Sequence, residues 1–96
     1  MNDIVFSWDD AQARENLGKH RVSFDEASTA FWDENARLIH DPEHSQQEDR
    51  YILIGWSAKL RLLIVCHTCR QEQREIRIIS ARTATRRERE QYGSHL

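Results

Sequence analysis

An α+β fold is predicted for this 96-residue chain, with two helices near the N-terminus, a run of strands and one closing helix. Three observations predict it. Helix-start signals precede short amphipathic stretches at Asp9-Asp10 and at Ser23. Four apolar, β-prone segments then follow one another through short polar loops. A last helix-start signal, Thr85-Arg86-Arg87-Glu88, comes after them. The order β-α-α-β-β-β-β-α, with loops too short for crossovers among the later strands, predicts an antiparallel sheet with helices packed on it.

Val5-Phe6-Ser7-Trp8 is the β-prone opening. Asp9-Asp10 then suits the positive end of a helix over 11–20, with Lys19 and His20 in its last turn. On that helix Ala13 and Leu17 share one face, and Asn16 and His20 another. Ser23-Phe24-Asp25-Glu26 reads as a capping box, in which Ser23 accepts from the Glu26 N–H and the Glu26 side chain reaches back. Phe24, Ala27, Ser28 and Phe31 give that second helix an apolar face, and Asp33-Glu34-Asn35 ends it.

Strands are expected at 36–40, 51–56, 62–68 and 75–80, with loops at 43–49 and 70–74. The third of these is apolar on both faces through Cys66 and is expected at the centre of the sheet. The closing helix opens on the capping box at Thr85 and stops near Gly93. One domain over residues 1–93 and a tail at 94–96 are expected.

The composition is that of an ordinary globular protein, 39% hydrophobic and 31% charged. No apolar run approaches the roughly 20 residues needed to span a bilayer, and the first ten residues lack the pattern of a signal peptide. A cytoplasmic location is the expectation. The net charge of −2 conceals a division. Residues 1–48 carry four basic residues against eleven acids, and residues 49–96 carry ten against five. Nine of those ten are arginine, whose guanidinium binds phosphate bidentately and stacks on bases. An anionic partner for the second half is one reading; a solvated basic face is the other.

Cys66-His67-Thr68-Cys69 has metal-site spacing, but residues three apart on a strand point to opposite faces, so neither a metal nor a redox role is expected. No cofactor is expected. The densest polar cluster is Arg77, Arg82, Arg86, Arg87, Glu88, Arg89 and Tyr92, at the end of the last strand and the start of the last helix. If that strand runs unbroken, Arg77, Ile79 and Ala81 share a face. Arg77 and Arg82 either pair with acids such as Glu88 or Glu26, or face a phosphate. His20 and His67 are either structural or proton-transfer groups. His40, His44 and His95, at edges or in loops, are uninformative.

The joint order of these motifs resembles the BrnT family of toxins. The match is carried by Trp8-Asp9, Asn16-Leu17-x-Lys19-His20, Val22-Ser23-Phe24-Asp25-Glu26-Ala27 and Arg50-x-Ile52-x-Ile54-Gly55-x-Ser57. It continues through Arg61-Leu62-Leu63-x-Val65-x-His67-Thr68, residues 76–82 with Ala84-Thr85, and Glu88-Arg89-x-x-Tyr92. The resemblance spans about Phe6 to Tyr92. It implies a RelE/ParE-like fold and a ribonuclease of a type II toxin–antitoxin system that arrests growth. It also implies neutralisation by a BrnA-type antitoxin, through which alone the pair would meet operator DNA.

Carried onto matching positions, the candidate catalytic residues are Lys19, His20, His67, Arg77, Arg82, Glu88 and Tyr92, with Arg61, Arg86 and Arg89 as RNA contacts. In this reading Arg77 and Arg82 grip phosphate, His20 or His67 moves the proton, and cleavage needs no metal. Two departures from the family stand out. Arg21 replaces a glycine that usually ends the first helix, implying a strained or rearranged cap. Lys59-Leu60 replaces a glycine-bearing turn, which should then adopt another conformation. A non-catalytic, antitoxin-binding co-repressor is the competing reading. Direct DNA binding by this chain alone finds no recognition-helix pattern to support it.

Overall fold

The computed structural model describes residues 4–45, 48–70, 72 and 74–95, and for His95 the backbone alone. The elements are β1 (Val5–Ser7), α1 (Asp10–His20), α2 (Phe24–Thr29), β2 (Arg37–Asp41), β3 (Arg50–Trp56), β4 (Leu62–Arg70), β5 (Glu75–Thr83) and α3 (Arg86–His95). Short 3-10 turns at Ala30–Trp32 and Pro42–His44 complete them. The expected order of elements is present. Residues 46, 47, 71 and 73 of the two expected polar loops, and Leu96 of the expected tail, lie outside the described residues. α3 runs two residues past Gly93, into the expected tail.

The strands form one sheet in the order β1-β5-β4-β3-β2. β2 to β5 are antiparallel neighbours, as the short loops require. β1 pairs parallel with β5, so the sheet is mixed rather than antiparallel throughout. The two intervening helices and three further strands let the chain return in the same direction.

One face of the sheet packs against α1, α2 and the first 3-10 turn. Val22, Phe24, Ala27 and Ala30 meet Leu53, Leu63, Val65, Ile76, Ile78 and Ala81 there. The opposite face packs Ile54, Leu62 and Ile64 against Tyr92 of α3, with Ile52 and Ala84 beside them. β4 is therefore covered on both sides, which explains its unbroken apolar run. Gly55 sits where the first 3-10 turn crosses β3. A Cβ there would stand 2.8 Å from the Ala30 carbonyl oxygen, so the close approach needs glycine.

The buried residue of α1 is polar. Asn16 donates to the carbonyls of Val22 (2.9 Å) and Ala81 (2.8 Å) and accepts from the Ala81 N–H at 3.0 Å. β1 pairs with β5 only over residues 75–77. Beyond it, the Asn16 amide satisfies backbone groups that would otherwise be buried and unpaired. Leu17, four residues from Ala13, is 48% exposed.

β5 carries a bulge. Ser80 pairs with Cys66 and Ile78 with His67, so Ile79 is an extra residue opposite no partner. The break reverses the alternation. Ile76, Ile78 and Ala81 all face α1 and α2, while Arg77, Ser80 and Arg82 face the side of α3. Arg77 therefore does not share a face with Ala81, as an unbroken strand would have required.

Candidate nucleic-acid interface

Cross-strand partners place their side chains on the same face, so the register lays out the surface beside α3 row by row. Arg82 lies level with Ile64 and Ile54, under α3. Ser80 lies level with Cys66 and Ile52. Arg77 lies level with Thr68 and Arg50, and that row ends on Ser7 of β1 and Asp41 of β2. The Arg82 and Arg77 rows are about 14 Å apart, four residues at about 3.4 Å each.

Arg82 is anchored. Its guanidinium donates to both Glu88 carboxylate oxygens, at 2.7 and 2.8 Å. Glu88 also accepts from the Thr85 N–H at 2.9 Å, and Thr85 Oγ1 accepts from the Glu88 N–H at 3.2 Å. The expected capping box is thus formed and joined to an ion pair. The Arg82 bond, followed by Thr85, holds the Glu88 carboxyl at about 2, against opposing desolvation. Arg82 keeps 40% of its side chain exposed, so it presents a fixed positive charge to the surface.

The next row differs. No carboxylate lies within 4 Å of the Arg50 or Arg77 guanidinium among the described residues. Between them Thr68 is 1% exposed, and its hydroxyl has no hydrogen-bond partner among the described residues. Leaving such a group unpaired costs on the order of 1–3 kcal/mol. Asp41, at the end of the row, accepts from His44 Nδ1 at 2.8 Å. Asp41, Glu43 and His44 bring three ligand-type atoms within 4.8 Å of one another on this exposed turn.

The remaining candidates are dispersed. His67 lies on the opposite face, 1% exposed. Its ring stands edge-on to Phe31, centroids 4.8 Å apart, and is stacked near Tyr51 at 6.1 Å. Burial pushes its pKa down to about 4 against the opposing bond from Nδ1 to the Val65 carbonyl. It is a neutral core residue and does not converge with Arg77 and Arg82.

Lys19 and His20 end α1, on the far side of the sheet from Arg77 and Arg82, so no imidazole from the expected pair meets the arginines. Tyr92 is 5% exposed and donates to Asp33 at 2.7 Å. Desolvation, reinforced by Asp33, pushes its hydroxyl up to about 12. Tyr92 therefore anchors α3 and does not orient an arginine.

Arg61, expected to touch RNA, is committed elsewhere. Its guanidinium pairs with both oxygens of Glu26, whose side chain is 2% exposed, and donates to the Arg21 carbonyl at 2.9 Å. Ser57 adds a bond to Glu26 at 2.8 Å. The Arg61 bond leads the causes that lower the Glu26 carboxyl, outweighing desolvation. Ser23 does cap the Glu26 N–H at 3.0 Å, but the Glu26 carboxylate turns to Arg61 and Ser57 instead of back to Ser23.

Arg86 is exposed and pairs loosely with Glu90 at 3.7 Å, while Arg89 lies over the Trp56 ring at 5.9 Å. The departure at Arg21 is a strained cap, φ 60° and ψ 30°, that keeps its bond to the Leu17 carbonyl. Leu60 likewise holds φ 62° in the β3–β4 turn, so that turn has kept the glycine-type conformation without the glycine. Cys66 and Cys69 lie on opposite faces of β4, as the strand geometry predicted.

Arg50, Thr68 and the Asp41–His44 pair were not among the residues singled out from sequence. Only strand register places them together. Arg50-x-Ile52-x-Ile54, polar and apolar positions two apart on one face, was the available signal.

A mixed sheet with a basic face beside an ion-paired helix defines a small α+β domain. The family model for the ribonuclease toxin BrnT of type II toxin–antitoxin systems matches residues 8–88, and the chain belongs to that family. Its fold is similar to that in the crystal structure of the Brucella abortus ribonuclease toxin BrnT. The TM-score is 0.65 at 20% identity, over 86% of this chain and 99% of that one. No curated protein matches the sequence. No helix among the described residues is long and apolar enough to cross a membrane.

Proposed function

We propose that this chain is a metal-independent endoribonuclease that arrests growth in the cytoplasm and is silenced by a BrnA-type antitoxin, its fold being of the RelE-like kind and forming one domain. The observation that supports it best is the placement of Arg77 and Arg82 on one sheet face, two rows apart, with Arg82 held rigidly by Glu88. In this reading the RNA 2′-oxygen attacks the adjacent phosphorus and the bond to the 5′-oxygen breaks, leaving a cyclic phosphate and a 5′-hydroxyl. The Arg77 guanidinium stabilises the charge that builds on the phosphoryl oxygens, commonly the largest contribution to rate, while Arg82, about 14 Å away, holds another phosphate of the chain.

With His67 buried and neutral, proton transfer passes to another group. Asp41 holds His44 through Nδ1 at the edge of the same face, leaving Nε2 to take the 2′-OH proton. Operator DNA is reached only through the antitoxin.

Incubation of the purified chain with RNA in chelator tests this reading. Cleavage should persist, and Arg77→Ala should slow it by about 100-fold, the usual effect of losing one oxyanion donor. Because Asp41, Glu43 and His44 are where a metal could sit, loss of cleavage in chelator would refute metal independence. A chain that cuts no RNA and halts no growth, yet binds its antitoxin, would establish the co-repressor reading instead.

A further inference from the structure

We propose that Arg50, Thr68 and Arg77 form one subsite for a backbone phosphate of the RNA, separate from the Arg82–Glu88 row. This rests on the ribonuclease reading above and extends it to two residues with no assigned role. Three strands contribute one residue each, level in register: Arg50 from β3, Thr68 from β4 and Arg77 from β5. Two guanidinium groups flank a hydroxyl at the centre, and cross-strand neighbours stand about 5 Å apart at Cβ, within reach of a single phosphate.

Each group is unspent. Neither guanidinium has a carboxylate within 4 Å among the described residues. By contrast Arg61, Arg70 and Arg82 are ion-paired at Glu26, Glu48 and Glu88. The Thr68 hydroxyl, 1% exposed and without a partner among the described residues, is the second, independent sign. Packing does not explain it: valine has nearly the same shape and would leave no polar atom unpaired at the centre of the sheet. A phosphate oxygen would accept from that hydroxyl while the arginines neutralise its charge.

The acids nearest in register already have partners. Asp41 beside Arg50 accepts from His44, and Glu75, two residues before Arg77, accepts from Ser7 at 3.2 Å. They bound the subsite at its two ends and disfavour a second anion there.

The test uses the whole chain and an all-2′-O-methyl RNA oligonucleotide, which cannot cyclise. Binding is followed by fluorescence anisotropy across salt concentrations. Arg50→Met should reduce the salt slope by about 0.7, one single-strand phosphate contact. Thr68→Val should weaken binding about tenfold with the slope unchanged, while melting at or above the wild-type temperature. A role in packing alone would not produce that combination. Wild-type affinity and slope in both variants would overturn the proposal, even if the chain cleaves RNA. Conversely, inorganic phosphate is titrated while amide resonances are followed. Shifts at Thr68 that vanish in Thr68→Val, in a chain that cleaves nothing, uphold the subsite and remove the nuclease reading alone.

Discussion

Replacing His67 by phenylalanine separates a structural imidazole from a catalytic one. The ring is 1% exposed and edge-on to Phe31, so an aromatic substitute keeps the packing and removes the titration. His67 ionises near 6.5 in the unfolded chain but only at about 4 when folded. Between those values the unfolded state binds more protons, so stability falls as pH falls. It is fully present above about 6.5 and lost on the way down through about 4. A difference of about 2.5 units at about 1.4 kcal/mol each is on the order of 3 kcal/mol.

Urea unfolding of wild type and His67→Phe at pH 7.5, 6, 5 and 4.5 measures this. The stability difference should shift in favour of the variant by most of that amount across the range, while RNA cleavage at neutral pH is retained. A difference that stays constant with pH, or a folded variant that no longer cleaves, would refute the assignment of His67 to the core.

Arg61→Met should destabilise the chain by about 3 kcal/mol, because it strands the buried Glu26 carboxylate. In that variant desolvation is opposed only by the Ser57 bond and the Lys59 charge. Its carboxyl rises, and the deficit should shrink as pH falls below about 5 in denaturant titrations. Arg21→Gly and Leu60→Gly should each stabilise by about 0.5–1 kcal/mol, since both residues hold φ near 60°; a lower melting temperature in both would contradict the strain. Glu88, held at about 2, contributes stability that is complete above about pH 5 and lost as pH falls toward 2. Glu88→Gln should flatten that acid limb in a circular dichroism titration, and an unchanged limb would exclude the ion pair as its source.

Much of the fold was legible in local chemistry. Asp9, Ser23 and Thr85 cap the helices they were expected to cap, and the doubly apolar run in β4 marked the central strand. The parallel pairing of β1 was not legible, because a three-residue strand carries no directional signal. Glu26 shows the limit of a motif: Ser-x-x-Glu spacing specifies a capping box, yet a guanidinium 35 residues away competes more strongly for the same carboxylate. Arg77 and Arg82 were singled out by type and density. Their placement together with Arg50 and Thr68 depends on register across three strands, a non-local property. His67 followed the commoner fate of a histidine in an apolar strand.

The unpaired Ile79 has a consequence for how this surface can be lost. Five positions separate Arg77 from Arg82, an odd count, and in a regular strand an odd count sends two side chains to opposite sides. One supernumerary residue restores the even parity that lets both guanidiniums look the same way. Drawing Ile79 into the ladder as an ordinary paired residue would remove no charge and no polar atom from the side chains, yet it would turn one end of the basic surface inward toward α1. Excising it, by contrast, would leave four positions between the arginines and keep both on the same side. The polarity of half a strand is therefore set by a single aliphatic residue, a position that a search for charged or catalytic side chains would pass over.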